Sequence, residues 1–515
     1  MAYESVDDLF LRFGPAYRAL LTAAAVTASF TMVMSGTIVN VAVPAAMGEF
    51  GVGLDRAQLL ASGFNVALVT SQVLNTWVVA RLGQRGGFLA MAGTFTAGSL
   101  ICAFSPSFDG VIVGRVLQGA SAGVVQPLAM VAMFQVYPPE RRGIAMAIYS
   151  MGVFMAVAMG PVFGGFAIEM LDWRYIFWAP MPVIGVAALM GWWFMPSARE
   201  HERMPFDWPG YGLLITFVYC MLTGLTEGNR ESWSSGYILS LFLVATVAGG
   251  ALVWSQMRRR PTLFDFSLFG YRQYAIVACI AFVFGMGNFG ASYGVPVFVQ
   301  LVQGATPLDA AVIMLPSSLL IVATLPVTGW LSDNIRPHLG IIAGLALFTV
   351  GTIPMGFADV NTSFLAVTIY FVVSRAGMSF TSPFIMNTAL GALPREKLNA
   401  GGGTINFCRQ LGGSLGLAAW VAFVQARTNA HSEAFTATQS PANATTHEMI
   451  EALRRLLSEA GLPENLQTPG ALQYLGEVIQ AQASTRGFQD GFLILVVSFI
   501  AAMIPAYLLK RHRRR

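Results

Sequence analysis

Arg115, Arg375 and Arg409 lie inside stretches of the 515-residue chain that are otherwise almost wholly apolar. A guanidinium stays charged at physiological pH and offers five donors in a planar fork. Its chemistry in such surroundings is anion recognition or the tethering of carbonyl oxygens, and these three intramembrane charges are the candidates for any part in proton coupling. The acids nearest these stretches, Glu169, Glu227, Asp309, Asp333 and Asp490, all fall at their ends. His201, His338, His431, His447 and His512 fall in the segments between them. A buried proton relay needs a titratable interior group, and none can be named. An interior with unbalanced positive charge favours anionic or weakly acidic amphipathic ligands. The competing reading is that each guanidinium bonds carbonyls and hydroxyls and never meets a ligand. Cys102, Cys220, Cys279 and Cys408 show no CxxC spacing and read as small hydrophobes. No metal site or cofactor is expected.

The elements that must hold these arginines follow from composition. The chain is 55% hydrophobic and only 11% charged, against about 25% charged in soluble domains. That balance predicts an all-α membrane protein and excludes a nucleic-acid binder, since the cations sit in short loops beside apolar runs. A crossing takes about 20 apolar residues. Fourteen such runs are found, at roughly 17–44, 57–80, 87–105, 109–135, 143–168, 174–196, 209–226, 236–256, 273–302, 308–331, 338–358, 363–391, 399–425 and 488–509. Charged linkers set the seventh and eighth apart. The organisation is a lead-in (1–16), a six-helix bundle (17–196), a linker with two extra helices (197–272), a second six-helix bundle (273–509) and a basic tail (510–515). Met1–Arg18 has three acids and no apolar core before a cleavage site, so it reads as a cytoplasmic lead-in. About twenty Lys and Arg fall on the side of the termini against three on the other. The positive-inside rule then puts both termini in the cytoplasm of a multi-pass inner-membrane protein. Residues 426–487 form one long external segment, in which Thr445–Ala460 and Ala471–Ala481 have helical periodicity. They read as a helical hairpin capping the external mouth or as a docking surface for another protein.

Several motifs recur in order. Gly160, Pro161, Gly164 and Gly165 sit within GVFMAVAMGPVFGG (Gly152–Gly165), a cluster costly in a soluble helix but suited to close helix approach in a bilayer. The turn with Arg81, Gly83 and Arg85 after span two is echoed by Gly329, Asp333 and Arg336 after span ten, which implies an internal repeat. A carboxylate there can cap a helix amino terminus and pair with arginine. The first copy has Ala80 where the second has Asp333. Arg115 belongs to RVLQGASAG, and Arg409 to NFCRQLGGS (Asn406–Ser414).

Together these segments resemble the major facilitator superfamily, and within it the fourteen-span, EmrB/QacA-type drug:proton antiporters. The glycine cluster is similar to the antiporter motif of the fifth helix, RVLQGASAG to RxxQGxG, and NFCRQLGGS to NxxRQxGGS. Pro261–Phe269 and the Gln480–Phe492 approach to the last span resemble EmrB-type members. Met34–Pro44 matches LDxTIVNVAxP except that Ser35 replaces the Asp that the family uses as proton carrier. The resemblance implies a secondary multidrug exporter working by alternating access and proton antiport, not an enzyme. It also suggests a periplasmic adaptor and an outer-membrane channel as partners. An uptake carrier or ion-coupled symporter on the same fold is the alternative; a membrane receptor or enzyme is disfavoured by the lack of interior acid or histidine clusters. Spans one, two, four, nine and thirteen should wall the cavity, with Asn40, Asn65, Gln118, Gln126, Asn288, Phe289, Tyr293, Asn406 and Gln410 as its candidates.

Overall fold

In lipid every backbone donor and acceptor must be satisfied within the segment, so apolar runs of this length become helices. The computed structural model describes residues 4–57, 59–197, 205–258, 263–439 and 443–511, and every regular element among them is helical. The first bundle comprises α1 (Tyr17–Phe50), α2 (Leu59–Ser71), α3 (Asn75–Phe104), α4 (Phe108–Val136), α5 (Arg142–Met170) and α6 (Pro180–Phe194). The added pair is α7 (Trp208–Glu227) and α8 (Gly236–Arg258). The second bundle comprises α9 (Arg272–Leu301), α10 (Pro307–Asn334), α11 (Pro337–Thr352), α12 (Phe364–Gly391), α13 (Leu398–Thr438) and α14 (Glu464–Leu508).

Among the described residues, thirteen continuous stretches are long and apolar enough to cross a membrane, and one of them, Leu59–Phe104, is 46 residues long. At 1.5 Å per residue it would extend about 69 Å, more than twice a hydrocarbon core. Gly83 breaks it at φ 74°, ψ 172°, a conformation that costs glycine little. The chain reverses there, so the stretch makes two crossings and the total is fourteen. A short 3-10 turn, Gln72–Leu74, joins α2 to α3.

The helix ends carry their own caps. Ser107 and Ser363 accept from the backbone N–H groups of Gly110 and Ala366, and Asp207 from Gly210. Thr306 and Asp309 close a capping box on α10. Glycines let bundle helices touch. A Cβ on Gly160 would collide with Thr37 of α1, and one on Gly412 with the Phe282 carbonyl of α9. Gly165 has open space where a side chain would go, and the Pro161 side chain lies outside the described residues.

An even number of crossings leaves the first and last described segments on one side, here termed the arginine-rich face. Glu4 bonds Arg85 beside the end of α6, and Lys510 at the other end lies near His338. The added pair runs along the junction of the two bundles. Tyr211 of α7 shares a hydrogen bond with Ser71 (3.1 Å), and Asn229, just past α7, donates to the Ala422 carbonyl of α13 (3.3 Å).

The long segment opposite the arginine-rich face differs from the expected hairpin. α13 continues without a break to Thr438 and α14 begins at Glu464, with one separate helix, Ala444–Glu459, between them. The two spans therefore project beyond the bilayer as continuous helices. Periodicity located Thr445–Ala460 and Ala471–Ala481 as helical, but the second is part of α14. The polar sequence between them hid the continuity.

Candidate functional site

The seam between the bundles is where alternating access would act. Asp333, near the end of α10, receives the N–H groups of Gly143 (2.5 Å) and Ile144 (3.2 Å) at the start of α5, and the Asn387 amide (3.4 Å). A carboxylate of one bundle thus caps a helix of the other, at the positive end of its dipole. The backbones meet closely: a Cβ on Gly329 would lie 2.5 Å from the Ala147 Cβ. Further along, Ser150 and Ser382 are 3.1 Å apart and the Asn75 amide donates to the Asn399 carbonyl at 3.1 Å. These bonds across the seam lie in its arginine-rich half. In the opposite half, Val39, Leu60, Val111 and Phe177 belong to a cluster drawn from the amino-terminal bundle alone. The structure is a state closed at the arginine-rich face.

The three arginines have different surroundings. Arg409 donates to Asn406 Oδ1 (2.9 Å), and its Nε is buried with no partner among the described residues. Asn406 reaches across the seam to Met130 Sδ (3.5 Å) and donates to the Gly402 carbonyl. Tyr149, which donates to the Gln126 carbonyl (3.2 Å), lies within electrostatic range of Arg409 from the other bundle. Arg409, Asn406, Gln126, Tyr149 and Met130 therefore form one group at the seam. Gln410 is half-buried beside them.

Arg115 is elsewhere. It is 0% exposed, donates to the Leu60 and Ser35 carbonyls (both 3.0 Å) and to Gln118 Oε1 (2.9 Å), and its guanidinium carbon lies 4.3 Å from the Phe64 ring centroid. Gln118 in turn donates to Ser99 (2.7 Å). These contacts tie α4 to α1, α2 and α3 within one bundle. Arg115 and Gln118, expected among charge and cavity groups, are instead a buried brace. The sequence could not say which way α4 is turned. Ser35, at the position of the family's Asp, is also fully buried, with its Oγ unpaired.

Arg375 donates to Asn288 through both the carbonyl (3.3 Å) and Oδ1 (2.9 Å), joining α12 to α9. Asn288 is thereby committed to an arginine. Phe289 fills the space over Gly413, where a Cβ would collide with its ring. Tyr293 is 45% exposed, and Asn65 is half-buried. The Asn40 side chain lies outside the described residues.

In the first motif copy Arg81 is exposed, its guanidinium carbon 5.6 Å from the Trp77 ring centroid. Arg85 donates to the Met195 carbonyl (2.8 Å) and pairs with Glu4 (2.6 Å). The Arg85 hydrogen bond, against the opposing effect of burial, holds the Glu4 carboxyl below its ordinary value. Glu4 thus supplies the acid that Ala80 lacks, from a segment that sequence reading treated as a mere lead-in. No spacing rule links residue 4 to residue 85; the acid-rich lead-in beside an unpaired basic turn was the available signal. In the second copy Arg336 is exposed.

A two-bundle helical membrane protein with a repeated basic turn, one copy of which caps a helix across the seam, is what these observations define. The family model described as "Major Facilitator Superfamily" matches residues 25–417, and the chain belongs to that family. Multidrug export protein EmrB of Haemophilus influenzae is 27% identical over 95% of both chains. EmrB of Escherichia coli K12 is 29% identical over 85% of this chain and 86% of its own. Lincomycin resistance protein LmrB of Listeria monocytogenes is 25% identical over 79% and 86% respectively. Among solved structures, the human organic anion transporter MFSD10 superposes with a TM-score of 0.61 at 12% identity, covering 94% of this chain and 99% of its own. The proton:xylose symporter XylE gives 0.59 at 12%, covering 94% and 95%. At that identity the two establish the fold.

Proposed function

We propose that this protein is a secondary exporter that moves amphipathic compounds, weak acids preferred, from the arginine-rich side of the inner membrane to the other by alternating access coupled to proton antiport. The arginine-rich face is then cytoplasmic. The observation that carries this reading is Arg409: a buried guanidinium at the bundle seam, whose Nε has no partner and which joins no ion pair among the described residues. An acidic cargo entering from the arginine-rich face would meet that donor when Asp333 releases α5. The relatives named as multidrug export proteins support export, and the resemblance to drug:proton antiporters supports the proton as driving ion.

Transport into inside-out vesicles, with and without an imposed pH gradient, tests the proposal with one lipophilic weak acid and one lipophilic cation. The weak acid should accumulate in a gradient-dependent manner and the cation poorly. Preference for the cation would sink the cargo assignment, and accumulation indifferent to the gradient would sink proton coupling.

A further inference from the structure

A cavity of about 360 Å³ lies off the seam, between the added helices and the flank of α13. Phe217 of α7, Val253 of α8, Phe266 and Phe269 of the connecting segment, and Phe407 and Leu411 of α13 form much of its wall. Thr404 and Cys408 are the polar side chains that reach it. Gly249 keeps the slot wide, since a Cβ there would already lie 3.1 Å from the Phe217 ring. Water takes about 30 Å³ in the liquid and a methylene is of similar size, so the space holds on the order of ten to twelve carbons.

Its depth and its mouth indicate what fits. On α13 the lining starts six residues past Leu398, roughly 9 Å from the helix start, and on α8 Val253 is about 7.5 Å from the terminal Arg258. The slot therefore lies in the half of the bilayer next to the arginine-rich face. Val253, Phe266 and Phe269 line it while also being 47%, 40% and 38% exposed, so it opens sideways. Two exposed guanidiniums end the elements that line it: Arg258 closes α8 five residues past Val253, beside the Trp254 ring, and Arg272 opens α9 three residues past Phe269. Lys397 is already paired with Asp265 at 3.5 Å. An apolar slot below exposed cations at the membrane surface matches an acyl chain with an anionic head, and basic pockets between membrane helices bind such head groups.

We propose that this cavity holds one acyl chain of an anionic phospholipid from the leaflet at the arginine-rich face, its phosphate set against Arg258 and Arg272. The bound chain braces α13 from behind. Phe407 and Leu411 face the lipid on one flank, while Asn406 and Arg409 face the seam on the other. The site is separate from the cargo path and stands whether or not the export reading does.

The test uses full-length protein in neutral detergent, titrated with phosphatidylglycerol or phosphatidylcholine of identical chains and read by native mass spectrometry. Phosphatidylglycerol should bind at least tenfold more tightly. Val253→Trp, which fills the slot from its exposed side, should weaken it tenfold or more, while Val247→Trp, exposed on the same helix but outside the lining, should not. Joint Arg258→Gln and Arg272→Gln should erase the preference between the two lipids. A measurement on the unaltered protein needs no variant to fold: alkylation of Cys408 by an apolar maleimide, located by peptide mapping, should slow several-fold with phosphatidylglycerol relative to phosphatidylcholine. Equal binding of the two lipids, undiminished binding to Val253→Trp, or no protection of Cys408 would overturn the assignment. One-for-one displacement of the lipid by a transported compound would give the cavity to cargo and overturn it as well.

Discussion

Removing the guanidinium of Arg409 deprives Asn406 of its donor and takes the positive charge out of the group that Asn406 and Tyr149 form at the seam, yet cuts few other contacts. Arg409→Ala should therefore insert and fold normally while losing weak-acid export by tenfold or more in vesicles; unchanged export would make the residue a bystander. Arg115→Ala should behave in the opposite sense. It strips donors from the Leu60 and Ser35 carbonyls and from Gln118, all inside one bundle. Orphaned buried acceptors cost about 1–3 kcal/mol each, so thermal unfolding should move down by several degrees and expression should fall. Two arginines that look alike in sequence are thus separated by one measurement of stability and one of transport.

At the scale of elements, the cap that Asp333 places on α5 joins the bundles at the arginine-rich face. A carboxylate at a helix amino terminus is worth about 0.5–2 kcal/mol. Asp333→Ala should shift the seam toward opening there by roughly two- to thirtyfold. Ser150→Cys provides the reporter, because Ser150 is 4% exposed and bonded to Ser382 across the seam. Its modification by a reagent added from the arginine-rich face should accelerate by that factor in the Asp333→Ala background. An unaltered rate would show that the cap does not hold the gate. The helices themselves were legible from apolar run length, because a bilayer leaves the backbone no alternative. So was the repeat of Arg81–Arg85 by Gly329–Arg336, since it is local. Rotation of each helix about its axis was not legible: in a span that is apolar all round, nothing in the residue order says which flank meets protein. That is why Gln118 was expected in a cavity and is found in a brace, and why Tyr149 went unremarked among the apolar residues of α5.

At the scale of the whole molecule, ion pairs fasten the protein at both faces. Glu4 ties the amino-terminal segment to Arg85 and, through its backbone carbonyl, to Ser197. Its carboxyl is held below the ordinary value of about 4.3 chiefly by the Arg85 hydrogen bond. A depressed pKa gives stabilisation that is full above the unfolded value and lost as pH falls through the folded one. Protease resistance of residues 4–13 should thus persist at pH 7 and fade below about pH 4, while Glu4→Gln should lack it at both. Opposite, Asp490 of α14 accepts from Arg427 (2.6 Å) and His431 (2.9 Å) of α13 where the two helices leave the membrane. Beyond that staple α14 continues 26 residues to Glu464, about 39 Å, with the helix Ala444–Glu459 beside it. Leu456, Leu466, Leu472 and Tyr474 on this projection are each about half exposed or more, which in water marks a surface awaiting a partner. Removing Thr445–Ala481 would leave Thr438 about 16 Å and Gln482 about 12 Å past the staple, ends that six residues can bridge. The intact chain should co-purify with a periplasmic adaptor, and the shortened protein, which should still insert and still bind cargo, should not. Equal recovery of the adaptor with both proteins would show that the projection is no docking arm.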